Sequence, residues 1–111
     1  MLYVCTLAAL YLRQKRRLHV LGIMEKLVKI LKSLADLNRL RIVRAIGKGS
    51  LSVSEIIQST DLAQTLVSFH LKTLRNAGVV RTKRDGPFIY YSLSSPNLID
   101  ILDDLSRTND A

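Results

Sequence analysis

Asp85 and Gly86 constrain the fold of this chain more than any other feature. They separate two short runs rich in β-forming residues, Val79 to Lys83 and Phe88 to Leu93, and Asp-Gly is the dipeptide that most readily supplies the positive φ angles of a hairpin turn. The stretch just before them has helical periodicity: at about 100° per residue, Val67, His70, Leu71 and Leu74 fall within one arc. A helix that leads directly into a β-hairpin narrows the fold class to a mainly α domain carrying a β-hairpin (α+β).

Upstream, the helical pattern repeats. Leu27, Val28, Ile30, Leu31 and Leu34 recur at helical spacing, with Lys26, Lys29 and Lys32 on the other face. Asp36 or Asn38 can cap the next helix, whose stripe is Leu40, Ile42, Val43 and Ile46 and which Gly47 and Gly49 end. Ser52 and Glu55 form a capping box opening a shorter helix that runs to about Ser59. Thr60, Asp61 and Leu62 make a short connection, and a further helix spans roughly Ala63 to Asn76, stopped by Gly78 or by a left-handed Asn76. After the hairpin, Ser95 and Pro96 form an N-cap and first-turn pair for a closing amphipathic helix bearing Leu98, Ile99, Ile101, Leu102 and Leu105.

The 111 residues are the usual size of one domain, and a domain so short gains from burial against a partner chain. Seventeen Lys and Arg against nine Asp and Glu give a formal charge of +8, which favours an anionic partner such as nucleic acid or an acidic membrane surface. Asp100, Asp103, Asp104 and Asp110 fall late, so nearly all the positive excess precedes the last helix. A single cysteine, Cys5, excludes an intrachain disulfide and a Cys-rich zinc site, and fits a reducing cytoplasm. Residues 1–12 are apolar but shorter than the roughly 20 residues a membrane-spanning helix requires, so stable membrane insertion is not expected. Arg13, Lys15, Arg16 and Arg17 follow the apolar run, the reverse of a signal peptide.

The sequence therefore divides into an N-terminal extension, residues 1–23, with a break expected at Gly22; a domain at 24–106; and a tail at 107–111. For the extension three readings stand: a helix packing at a dimer interface, a shallow membrane-surface anchor, or a segment upstream of a start at Met24.

Two helices joined by a short turn and followed by a basic hairpin are the parts of a winged helix-turn-helix, whose second helix enters the major groove of double-stranded DNA. Opposite the apolar arc of that helix lie Gln64, Thr65, Ser68, Phe69 and Lys72. Gln64 has the chemistry to pair with adenine, Thr65 and Ser68 to reach base edges or phosphates, and Lys72 to bind guanine or phosphate. An exposed Phe69 needs either a thymine methyl or a neighbouring helix. Arg81, Lys83 and Arg84 place three positive charges around the wing, suited to the phosphate backbone or minor groove. His70, on the inner arc, reads as a hydrogen-bonded core or boundary residue.

The run from Leu34 to Val43 (LADLNRLRIV), the run from Gln64 to Val80 (QTLVSFHLKTLRNAGVV) and Tyr90-Tyr91-Ser92-Leu93 resemble the ArsR/SmtB repressor family over about residues 27–105. The resemblance implies a homodimer pairing through its first and last helices, binding to an inverted-repeat operator, and repression relieved by an effector whose identity the sequence leaves open. It also exposes departures. Where metal-sensing members carry Cys-Val-Cys this chain has Ser52-Val53-Ser54, and hydroxyls do not replace thiolates for soft metals. The last helix holds Asp100, Asp103 and Asp104 without histidine, His19 and His70 lying elsewhere, so neither familiar metal site is expected. A hard-cation site at those aspartates, set against a solvated helix face, and Cys5 pairing between subunits are two sensing routes the residues allow; the effector, if there is one, stays open. Leu37 stands where relatives have Pro, and Phe69 where they have a basic residue. There is no P-loop, no GxGxxG, no HExxH and no nucleophile–base pair, since Ser68 and His70 point apart on one helix, so no enzyme and no cofactor is expected. A winged-helix module for non-specific DNA binding or protein interaction is the alternative function.

Overall fold

The computed structural model describes the backbone of residues 2–109 and the side chains of residues 6–109; Met1, Ala111, Asp110 and the Cys5 side chain lie outside them. The order of elements is α1 (Leu2–Leu34), α2 (Leu37–Ile46), β1 (Ser50–Ser52), α3 (Val53–Thr60), α4 (Gln64–Asn76), β2 (Val80–Asp85), β3 (Phe88–Leu93) and α5 (Leu98–Ser106), closed by a single 3-10 turn at Arg107–Asn109. The mainly α architecture with a hairpin wing is the one the periodicity implies.

The core lies where α2, α3, α4 and the root of the hairpin meet. Ile42, Val43 and Ile46 of α2, Ile56 of α3, Val67, Leu71 and Leu74 of α4, and Val79, Val80 and Leu93 of the hairpin are buried together with Leu34. The apolar stripes of α2 and α4 thus face each other, as helices with apolar residues at i, i+3 and i+4 must. Caps match their chemistry. The Asp36 carboxylate accepts from the Arg39 N–H at 3.0 Å, and the Ser52 hydroxyl accepts from Glu55 N–H at 3.3 Å. Gly78, at φ 79°, takes the left-handed position that ends α4, with its N–H on Arg75 O and the Val79 N–H on Leu74 O.

Four local expectations need correction. First, α1 runs unbroken through Gly22; a helical glycine costs only about 1 kcal/mol relative to alanine, too little to stop a helix with strong formers on both sides. Second, the hairpin loop is Gly86-Pro87 rather than Asp85-Gly86, because Asp85 pairs with Phe88. Pro87 has no N–H to give a ladder, so it belongs in the loop, and Gly86 takes the positive φ of 61° at the first loop position. Third, Ser50–Ser52 forms a strand that joins β3, giving the order β1-β3-β2. Three residues immediately before a helix show no period. Fourth, α5 begins at Leu98 instead of beside Pro96; Ser95 O accepts the Leu98 N–H at 3.0 Å and closes a turn first.

Two helices remain only partly covered. On α1, Ile30 packs against the core and Leu34 is buried in it, while Leu7, Leu10, Leu21, Met24, Val28 and Leu31 are among its exposed apolar residues. On α5, Leu98, Ile99 and Leu102 pack inward, whereas Ile101 and Leu105 face outward. The radius of gyration, 19.5 Å, exceeds the roughly 13 Å of a compact chain this long, and the projecting α1, about 50 Å from end to end, accounts for the excess. No helix among the described residues is long and apolar enough to cross a membrane.

Candidate nucleic-acid interface

The turn between α3 and α4 is held from both sides. Asp61, at φ 58° and ψ 26°, adopts the left-handed conformation that aspartate tolerates better than most side chains, and its N–H returns to Ile57 O at 2.8 Å. The guanidinium of Arg41, from α2, donates to the carbonyl of Thr60, whose own hydroxyl donates to Ile56 O at 2.7 Å. This fixes the angle at which α4 leaves the turn. At the start of α4, Ala63 supplies no side-chain cap, so the first-turn N–H groups carry the positive end of the helix dipole unmasked by a side chain.

The inner arc of α4 comprises Val67, His70, Leu71 and Leu74, all buried as their spacing requires. His70 is 7% exposed, and its Nδ1 lies 3.5 Å from Nη1 of Arg39. A guanidinium can only donate, so in this contact Nδ1 is the accepting atom. Arg39 Nε donates to Ser33 O at 2.5 Å, so one side chain ties α4 to the end of α1 while its backbone receives the Asp36 cap. The Arg39 N–H bond holds the Asp36 carboxyl below its ordinary value against the opposing pull of desolvation, and the guanidinium charge adds to the lowering.

Gln64, Thr65, Ser68, Phe69 and Lys72 are all exposed on the outer arc. The structure adds Arg75 and Asn76, also exposed, which sequence reasoning missed. The signal was available: Asn76 stands four residues after Lys72 and Arg75 eleven after Gln64, both on the same helical rows. Thr65, Phe69, Lys72 and Asn76 make the line farthest from the core, with Gln64, Ser68 and Arg75 beside it. Phe69 is 61% exposed and touches the ring of His70 edge-on with centroids 5.6 Å apart.

The wing does not gather its three cations on one surface. Arg81 and Lys83 share a face with Ser92 and Tyr90, while Arg84 lies on the opposite face across from Ile89. Arg81 also donates to Ser94 O at 2.5 Å, which draws its guanidinium toward the root of the hairpin. Lys83 and Arg84 are the exposed charges nearer the tip, beside the opposing Asp85. Ser52 of the Ser52-Val53-Ser54 segment is buried and spends its hydroxyl capping α3, and Ser54 is exposed. On α5, Asp103 pairs with Arg44 at 2.6 Å, Asp100 with Lys48 at 3.3 Å and Asp104 with Arg107 at 3.2 Å. The first two pairs fasten α5 to the end of α2, and among the described residues no three of His, Cys, Asp and Glu converge.

Comparison with known proteins bears on this geometry. Residues 36–82 match the family described as bacterial regulatory protein, arsR family. The transcriptional activator HlyU of Vibrio cholerae is 34% identical over 82 residues, covering 74% of this chain and 76% of the relative. The chain belongs to the ArsR family. The arsenical resistance operon repressor of Staphylococcus aureus is 32% identical over 85 residues, 77% of this chain and 82% of that protein. The structure of reduced HlyU from V. cholerae superposes with a TM-score of 0.70 at 32% identity, over 78% of this chain and 95% of that one. A Mycobacterium bovis domain described as a homodimeric winged helix-turn-helix DNA-binding domain shares the fold, with a TM-score of 0.71 at 24% identity over 80% of this chain and 82% of its own. This ArsR-family chain is accordingly a winged helix-turn-helix transcriptional regulator and not an enzyme.

Proposed function

We propose that this ArsR-family protein binds an inverted-repeat operator as a homodimer. In this reading α4 lies in the major groove, with Gln64, Thr65, Ser68, Phe69 and Lys72 toward the bases and phosphates. The wing, residues 81–86, follows the backbone or minor groove through Arg81, Lys83 and Arg84. Residues 24–106 form the DNA-binding unit and 1–23 an arm that lengthens the dimer face. Occupying an operator within a promoter obstructs the polymerase, so repression is the direct consequence, and DNA as ligand places the protein in the cytoplasm. Sensing runs through neither of the metal sites common in the family, because Ser52 and Ser54 stand where the thiolates of one would be and the last helix lacks the histidine of the other.

The observation that carries the reading is the division of α4, whose leading turn is held by Arg41, into a buried arc contacted by Arg39 at His70 and an outer arc that is polar and basic apart from Phe69 and, at its margin, Leu66. A helix held so firmly and left so polar on its far side is suited to a groove. The exposed apolar residues of α1 and α5 support a second copy, and the M. bovis domain described as homodimeric has the same fold.

Two substitutions test the roles. Lys72→Ala weakens binding to all sequences about equally and lowers the salt-dependence slope by about one. Gln64→Ala costs about 1–3 kcal/mol at one base-pair position of each half-site and relaxes the preference there. A uniform loss across operator variants for Gln64→Ala would overturn its base-reading role.

A further inference from the structure

Phe69 is the anomaly of the outer arc. It sits at the middle of the line Thr65, Phe69, Lys72 and Asn76, exposed to 61%, with hydrogen-bonding or charged side chains one turn away in both directions. None of the described residues covers the outer side of the ring, which is left 61% exposed and meets the His70 ring edge-on. Its backbone is fixed, because the flanking Val67, His70 and Leu71 are buried and the Thr73 hydroxyl donates to Phe69 O at 3.3 Å. The ring is therefore presented by a rigid helix and cannot retract into the core.

Resting on the operator-binding reading above, we propose that Phe69 reads the C5-methyl group of a pyrimidine, selecting thymine at one position of each half-site and accepting 5-methylcytosine in its place. The floor of the B-form major groove offers donors and acceptors at every base pair, and its one apolar group is the C5-methyl of thymine, or of a methylated cytosine. The neighbouring Thr65, Ser68 and Lys72 suit the polar edges and phosphates around that methyl. A phenyl ring facing the N4 amine or bare C5–H of cytosine gains no comparable apolar contact, and a polar base edge held beneath it loses water without a partner. The discrimination is by methyl group and not by hydrogen bond, so it distinguishes thymine from uracil, which pair identically.

The experiment begins with selection of duplexes from a random pool by the full-length protein. Each thymine of the enriched site is then replaced singly by deoxyuridine, and affinities are measured by fluorescence anisotropy for the wild type and for Phe69→Ala, whose helicity is checked by circular dichroism. The expected result is one thymine per half-site at which removing the methyl weakens wild-type binding about fourfold, the scale of one buried methyl, with no such loss in Phe69→Ala. Placing 5-methylcytosine there instead of cytosine strengthens wild-type binding by a similar factor. Uracil tolerated at every thymine, or the same penalty in Phe69→Ala, overturns the assignment to Phe69 while leaving operator binding intact. Failure to enrich any inverted repeat overturns both.

Discussion

Between Leu34 and Leu93 the chain buries its apolar side chains against itself, and on the helices that flank this span it leaves them outside. Every fully buried apolar residue among the described ones falls in that span, and α1 contributes only Leu34. Yet among the described residues α1 carries twelve of the nineteen large apolar side chains that are exposed, and α5 adds Ile101 and Leu105. The flanking helices are the richer in apolar residues, and the two regions differ in what completes them. The inner region is finished by its own helices and hairpin. The outer one is finished only by something else, and a second copy brings the same unsatisfied surface to the same place.

If that contrast is right, its largest consequence lies on α1. Replacing Val28 and Leu31 together by aspartate should convert the dimer to a monomer in sedimentation velocity and reduce inverted-repeat affinity by at least ~100-fold, since linked half-sites gain about that much from avidity. A double variant that stays dimeric with full affinity would break the contrast. Within the inner region, Leu74→Ala should cost about 2–5 kcal/mol in urea unfolding, because Leu74 is fully enclosed. The same change at Leu37, 75% exposed, should stay within about 0.5 kcal/mol. Similar losses at both would mean that burial within the chain does not govern stability here.

The smallest effect is a pH dependence at the joint between the two regions. The Asp36 carboxyl is held below its ordinary 3.8 by the Arg39 N–H and guanidinium, so the cap contributes its full stability above that value. The contribution is lost as pH falls through the depressed value and the carboxylate takes up a proton. Asp36→Asn keeps a cap that does not titrate, so its unfolding free energy should fall less than that of the wild type between about pH 4 and pH 2. Parallel profiles would remove Asp36 from the acid response.

How much of this was legible in the sequence follows from which residues carry a period. The arcs of α2 and α4 were readable because Ile42, Val43, Ile46 and Val67, His70, Leu71, Leu74 repeat at helical spacing and are buried within one chain. The outer arc followed by subtraction, except for Arg75 and Asn76, which lie in the last turn of α4 where the stop signals of Asn76 and Gly78 dominate the pattern. Strand β1 was not legible: Ser50–Ser52 owes its extended form to β3, a partner far along the chain. The hairpin loop slipped by one residue because Asp-Gly is a strong local signal, and only the pairing of Asp85 with Phe88 shows Pro87 in the loop. Arg39 and Arg41 could not be assigned from sequence. Their partners, Ser33 O, His70 and the Thr60 carbonyl, are mostly backbone groups with no sequence signature. The apolar spacing of α1 was plain, but it could not tell a core face from a face turned to another molecule.

The account stands or falls on whether the outer arc of α4 reads sequence. Full-length protein titrated at physiological salt against its selected inverted repeat and against a scrambled duplex of equal length and composition gives the answer as one ratio. The account predicts that the repeat is bound at least ~10³-fold more tightly. Affinities that agree within tenfold would contradict it, leaving a winged helix that holds DNA by charge alone.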